Sequence, residues 1–204
     1  MSELVTPNPL LVEYYIKAQQ LTAELIKDVS YHKSQHQWHY IESNIEYNIF
    51  LLQRLKDLDL LPNDVKICDC GIGLATIMYD FYLQSKDIVG HRFSFWGVES
   101  YQPYIDAFEE ELRSYWKSDL EMISDDLMAH NYSPYNFIWI FTPYSTSDKL
   151  MQFFEKVISE MPKGGIVFGI DHYRIMTYGS DRLKSKFMEL EATKVDELWV
   201  FKKK

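Results

Sequence analysis

Residues 65–76 read VKICDCGIGLAT: an apolar run, an aspartate, two glycines one residue apart, and the start of a helical pattern. A strand that passes into a helix this abruptly needs glycine where the backbone takes positive φ or lies against a ligand, because a Cβ would clash there. Gly71 and Gly73 supply that freedom. The helix that follows presents unpaired N–H groups and the positive end of its dipole, which suits a carboxylate, a phosphate or another polar group. Such a unit calls for a crossover to a parallel neighbour, and so for a sheet wrapped by helices.

The rest of the chain repeats the rhythm. Short apolar runs recur at 93–98, 120–123, 135–141 and 166–170, and helical patterns cover 74–83, 104–115 and about 147–161. YNFIWIF, at 135–141, is apolar almost throughout, as expected of a strand covered on both faces. Lys163-Gly164-Gly165 turns the chain into IVFGI, and VDELWVFKK from Val195 reads as a last strand with no helix after it. Residues 174–194 give no firm pattern. Five strands alternating with helices imply right-handed crossovers and an α/β doubly wound sheet.

The beginning differs. Leu11, Tyr14, Tyr15, Ala18, Leu21, Leu25 and Val29 fit an amphipathic helix entered through Pro9. Ile41, Ile45, Ile49, Leu52 and Leu55 form the stripe of a second helix that stops near Leu60, before Pro62. With 204 residues, 47% of them hydrophobic, the chain supports one core. We therefore expect a single domain in which residues 1–60 form a helical extension or lid and residues 61–204 the core.

Charge and composition exclude several classes. A net charge of −9 works against binding a phosphate backbone, and the one basic run, Lys202 to Lys204, reads as a solubilising tail, so no nucleic-acid partner is expected. No segment reaches the ~18 apolar residues of a membrane span. MSELVTPNPL lacks the basic and apolar parts of a signal peptide, so a cytoplasmic protein is expected. Cys68 and Cys70 are too close for a disulfide and read as reduced, small core side chains. His32, His36 and His39 would share a helical face, read as an exposed polar one, and no metal is expected.

Two further signals join the glycine turn. FWGVES, at 95–100, is an apolar strand ending in Glu99, twenty-six positions after Gly73, and an acid at that tip can accept both hydroxyls of a ribose. The spacing exceeds the roughly 20 residues of dinucleotide folds, and the polar loop at 84–94 absorbs the excess. Ser124-Asp125-Asp126-Leu127 follows the third strand, where an acid could meet an adenine amino group, although a turn or helix cap explains an Asp pair equally well. All three fall at the carboxyl ends of strands, where open α/β sheets collect ligands.

At these positions the chain resembles the class I S-adenosylmethionine-dependent methyltransferases, over roughly residues 60–204. The resemblance implies a mostly parallel, seven-stranded Rossmann-like sheet with an antiparallel C-terminal strand. It places Asp69, Gly71 and Gly73 against the methionine part of S-adenosylmethionine, Glu99 on the ribose, and Asp126 or Asp125 on the adenine. The family's fourth motif corresponds to Phe141-Thr142-Pro143-Tyr144, which adds Thr142 to the cofactor residues, and its glycine pair to Gly164-Gly165. The chain departs from the pattern at Ala75, where a third glycine is common and which is tolerated if the position only packs helix on sheet. TPYS is not the motif of enzymes that methylate exocyclic base amines, and no Pro-Cys pair marks a cytosine-C5 enzyme.

The function implied is methyl transfer to a small-molecule or protein acceptor, with a homodimer left open. Tyr144 and His172 each follow a strand and are candidates for a general base, with rim lining as the plainer role. Trp38, His39 and Tyr40 would sit in the lid. The alternative is a non-catalytic Rossmann-like cofactor-binding module acting through protein contacts. NAD chemistry is disfavoured because Thr76 stands where a dinucleotide turn needs its last glycine.

Overall fold

The computed structural model of the chain describes residues 8–25, 51–141, 143–144, 147–168, 179, 181–195 and 198–204. Strands β1 (Asp64–Cys70), β2 (Arg92–Glu99), β3 (Leu120–Ser124), β4 (Phe137–Ile140), β5 (Ile166–Phe168), β6 (Leu190–Val195) and β7 (Leu198–Lys203) form one sheet in the order β3-β2-β1-β4-β5-β7-β6. β1 pairs parallel with β2 and β4, β2 with β3, and β4 with β5, whereas β7 runs antiparallel to β5 and β6. The expected seven-stranded, mostly parallel sheet is therefore the fold. After β1 the chain steps outward to β2 and β3, then returns to the other side of β1 as β4. That reversal opens a crevice at the carboxyl ends of β1 and β4.

Helices α1 (Pro9–Leu25), α2 (Leu51–Asp57), α3 (Thr76–Ser85), α4 (Gln102–Ala107), α5 (Ser147–Glu160) and α6 (Asp181–Phe187) cover the sheet. β4 shows how one short strand serves two cores. All four of its residues are buried, with Phe137 and Trp139 in the cluster that holds α1 to α3, and Ile138 and Ile140 in the cluster that holds α5 and α6. α3 is buried at every position from Thr76 to Leu83. A helix apolar on all sides needs cover on all sides, and α1 and α2 provide it on the face away from the sheet.

Several features differ from the reading of the sequence. The helical pattern at 104–115 begins as α4 but continues as a π turn, Phe108–Leu112, and a 3-10 turn, Arg113–Tyr115. No helix joins β3 to β4; a turn at 126–130 and a loop fill the space. Within residues 174–194, where the sequence gives no firm pattern, lie α6 and most of β6, so the C-terminus is a strand pair in which Val195 ends β6 and Leu198 begins β7. The terminal lysines are not a loose tail, since Lys202 and Lys203 belong to β7. Lys203 Nζ donates to the carbonyls of Ile158 (2.7 Å), Ser159 (3.1 Å) and Met161 (2.8 Å), closing the carboxyl end of α5. Cys68 and Cys70 are free and buried, as expected of core side chains. No described helix is long and apolar enough to cross a membrane. His32, His36, Trp38, His39, Tyr40, Ile41, Ile45 and Ile49 lie outside the described residues.

Candidate functional site

The glycine turn hooks over the end of β2: the N–H groups of Gly71 and Ile72 both donate to the carbonyl of Val98, at 2.9 and 3.2 Å. Gly71 and Gly73 take φ of +83° and +54°, the left-handed region that favours glycine. Ala75 takes φ 60° as well, at the position before α3. The expectation that this residue only packs helix on sheet is incomplete, because the missing third glycine is also a conformational one. An alanine there costs roughly 1 kcal/mol, offset in part by its fully buried methyl.

Glu99 reaches back from the tip of β2 to this turn. Its Oε2 accepts the Gly73 N–H at 3.0 Å, and its Oε1 accepts the N–H groups of Ser100 and Tyr101, both at 2.8 Å. Among the described residues Oε1 is thus filled, whereas Oε2 keeps one acceptor site. Burial pushes the Glu99 carboxyl above the usual range, and the three N–H donors oppose that rise. Asp69, only 6% exposed, lies beside it; burial first, and the charge of Glu99 second, push its carboxyl well up. A site with two buried acids favours a ligand that brings hydroxyl donors or positive charge and repels phosphate.

Gly97 is a site residue that the reading of the sequence missed. A Cβ there would stand 2.1 Å from Ile72 Cδ1 and 2.9 Å from Ile72 Cβ, so the glycine is the seat on which the turn rests. The signal was present, since an isolated glycine inside a strand pattern marks a close approach.

The Asp pair follows β3. The Asp125 N–H donates to the Glu99 carbonyl at 3.0 Å, which brings this loop to the same edge. Asp125 Oδ1 accepts the Asp126 N–H at 2.8 Å, and Oδ2 lies 3.0 Å from His130 Nδ1, whose ring reaches the Tyr135 hydroxyl through Nε2, also at 3.0 Å. Asp126 caps the turn that replaces a helix here: its Oδ1 accepts the N–H groups of Met128 (2.7 Å) and Ala129 (3.2 Å). The turn-capping role accounts for Asp126 without a ligand.

The end of β4 closes the crevice from the other side. A Cβ on Gly71 would lie 3.6 Å from Pro143 Cβ and 3.9 Å from Leu127 Cδ1, so the three segments converge at the turn. Tyr144 is fully buried, and its hydroxyl has no hydrogen-bond partner among the described residues. Burial first, then the negative charge of Asp126 and the thiol of Cys70, push the phenol far above its usual range, so it keeps its proton at neutral pH. That places it in the wall of the site. Thr142 and His172 lie outside the described residues.

No protein-family model matches the chain, and no curated protein matches it in sequence. Solved structures do match in shape. A protein of Listeria monocytogenes described as a class I S-adenosylmethionine-dependent methyltransferase superposes with a TM-score of 0.60 at 12% identity, over 93% of this chain and 68% of its own. The ribosomal protein L11 methylase of Lactobacillus delbrueckii subsp. bulgaricus gives 0.53 at 13% identity, over 80% and 81%. A Pyrococcus horikoshii protein described as an RNA methyltransferase gives 0.50 at 15% identity, over 75% and 79%. The strand order, the antiparallel β7 and these likenesses together show that the chain has the fold of the class I S-adenosylmethionine-dependent methyltransferases.

Proposed function

We propose that the chain is an S-adenosylmethionine-dependent methyltransferase acting on a small-molecule or protein acceptor, with residues 61–204 holding the cofactor. The observation that carries this reading is the buried Glu99 carboxylate, bound to the Gly73 N–H and still able to accept a hydroxyl, with Asp69 beside it. The site's chemistry fits the group. A ribose brings one hydroxyl donor to the remaining acceptor site of Glu99 Oε2, not the two expected from the sequence because Ser100 and Tyr101 already fill Oε1, and the amino-acid tail brings an ammonium to Asp69, which also stabilises the ionised form of both acids. Gly71 and Gly73 would lie against that tail, and Asp126, whose Oδ1 already caps the turn, or Asp125 would meet the adenine amino group from the loop after β3.

When bound, the cofactor supplies a methyl group on a sulfonium, open to in-line attack. The chain's own part is to align the two reactants and to exclude water. Tyr144, buried in the wall, contributes shape, and His172, outside the described residues, stays a candidate for a base or for the rim. The net charge of −9 favours acceptors without a phosphate backbone.

Thermal melts with S-adenosylhomocysteine, NAD and ATP test the reading. At a hundredfold excess over Kd the first should add about 2.7 kcal/mol, a rise of roughly 5–10 °C for a chain of this size, with the other two inert. A rise with NAD or ATP alone overturns it. S-adenosylhomocysteine binding without turnover on small-molecule, protein and RNA acceptors favours a non-catalytic cofactor-binding module, and transfer to RNA replaces the acceptor assignment.

A further inference from the structure

Tyr14 lies in α1, sixty positions before Leu74, and is fully buried. Its hydroxyl donates to the carbonyl of Leu74 at 2.7 Å and accepts the indole N–H of Trp116 at 3.2 Å. Leu74 sits between Gly73, whose N–H is held by Glu99, and Ala75, whose φ is positive. The ring of Tyr14 stacks on Tyr79 of α3 at 4.2 Å and 17°, and meets Tyr115 edge-on at 5.3 Å. Two contacts fasten the same helix to the segment after α4: Lys17 Nζ to the Glu111 carbonyl (2.7 Å) and Tyr115 hydroxyl to Glu13 (2.7 Å).

From this geometry we propose that Tyr14 is a positioning residue of the cofactor site, holding the Leu74 carbonyl and through it the orientation of the turn. The proposal rests on the methyltransferase reading. A carbonyl in a buried turn must find a donor, and among the described residues its donor belongs to the N-terminal helix and not to the core strands. Either the Tyr14 hydroxyl is present and the turn keeps the shape in which the Gly73 N–H meets Glu99, or it is absent and the carbonyl seeks another partner by rotating its peptide plane. Rotation of that plane changes the backbone on both sides of it, at Leu74 and Ala75, next to the N–H groups that would meet the ligand. Docking of α1 and filling of the site are then coupled, and by reciprocity the ligand tightens α1 as much as α1 tightens the ligand. This sets α1 apart from a lid, whose removal would spare cofactor affinity.

The test uses the full chain and three proteins: wild type, Tyr14→Phe, and Tyr115→Phe, which loses a bond from the same helix with no link to Leu74. Tyr14→Phe loses both the bond to Leu74 and the one from Trp116, and only the first reaches the turn; calorimetry with S-adenosylhomocysteine should therefore show Kd rising about three- to tenfold in Tyr14→Phe, the scale of one buried hydrogen bond felt at the site, and unchanged in Tyr115→Phe. Hydrogen exchange at residues 72–76 should quicken in Tyr14→Phe without ligand, and exchange across α1 in the wild type should slow when S-adenosylhomocysteine is added. A folded Tyr14→Phe with unaltered Kd, or wild-type α1 exchange indifferent to saturating ligand, overturns the proposal. Failure of the wild type to bind S-adenosylhomocysteine overturns the methyltransferase reading instead; the ligand-free exchange of residues 72–76 still decides whether Tyr14 holds the turn.

Discussion

Alanine at position 97 puts a methyl carbon where Ile72 already lies. The new Cβ would stand 2.1 Å from Ile72 Cδ1, 2.8 Å from its Cγ2 and 2.9 Å from its Cβ. Cδ1 can swing aside, but Cβ is fixed to the backbone of the glycine turn, so relief requires the turn itself to shift. Overpacking of this kind costs about 1–3 kcal/mol. Removing the isoleucine side chain alone, at a position 5% exposed, costs about 2–5 kcal/mol as a cavity. In the double variant the alanine methyl occupies space that the isoleucine vacated, so Gly97→Ala with Ile72→Ala should be more stable than the sum of the two losses by about 1–2 kcal/mol. Urea unfolding of the four proteins, followed by tryptophan fluorescence, measures the cycle. Losses that add to within about 0.5 kcal/mol would refute the claim that the turn rests on Gly97.

Two other perturbations probe the scaffold. Asp80 is 5% exposed, its Oδ2 has no hydrogen-bond partner among the described residues, and burial raises its carboxyl from 3.8 to about 7. A raised acid favours the fold fully below its unfolded value and loses that advantage as pH climbs through the folded one. The protein should therefore lose up to roughly 4 kcal/mol between about pH 4 and pH 7 through this group. Asp80→Asn should flatten that share of the stability profile in denaturation at stepped pH, and a steeper profile would contradict the sign. Lys203→Met should lower stability by about 1 kcal/mol, roughly 2–4 °C in a thermal melt, because three carbonyls at the end of α5 lose their donor; no change would return Lys203 to the role of a solvated tail.

What was legible in the sequence was whatever has a local cause. A run such as FIWI declares a strand buried on both faces, and a glycine turn after an apolar run declares a βα unit, so β1 to β5 and the positions of Asp69, Gly71, Gly73, Glu99 and the Asp pair were readable. Less readable was what depends on a distant partner. In residues 181–195 the buried Leu183, Phe187, Leu190 and Val195 stand among exposed Glu189 and Glu191 with no turn signal to divide helix from strand, so α6 and β6 take their shape from α5 and β7. Tyr14 reads as one more apolar position of an amphipathic helix, and nothing within α1 indicates that its hydroxyl serves Leu74. Asp125 and Asp126 illustrate a tie left by sequence: an acid that caps a turn and an acid that awaits a ligand look alike until the N–H groups around them are placed.

Calorimetric titration of S-adenosylhomocysteine into the wild type and Glu99→Gln, both checked for cooperative melting, bears most directly on the claim that a nucleoside is held at the tip of β2. The amide keeps the size of the side chain but removes its charge and sets an N–H₂ group against one of the backbone donors that Glu99 satisfies. Measurable binding by the wild type and an affinity at least about tenfold weaker in the variant is the expected result. Equal affinities in two folded proteins would contradict it.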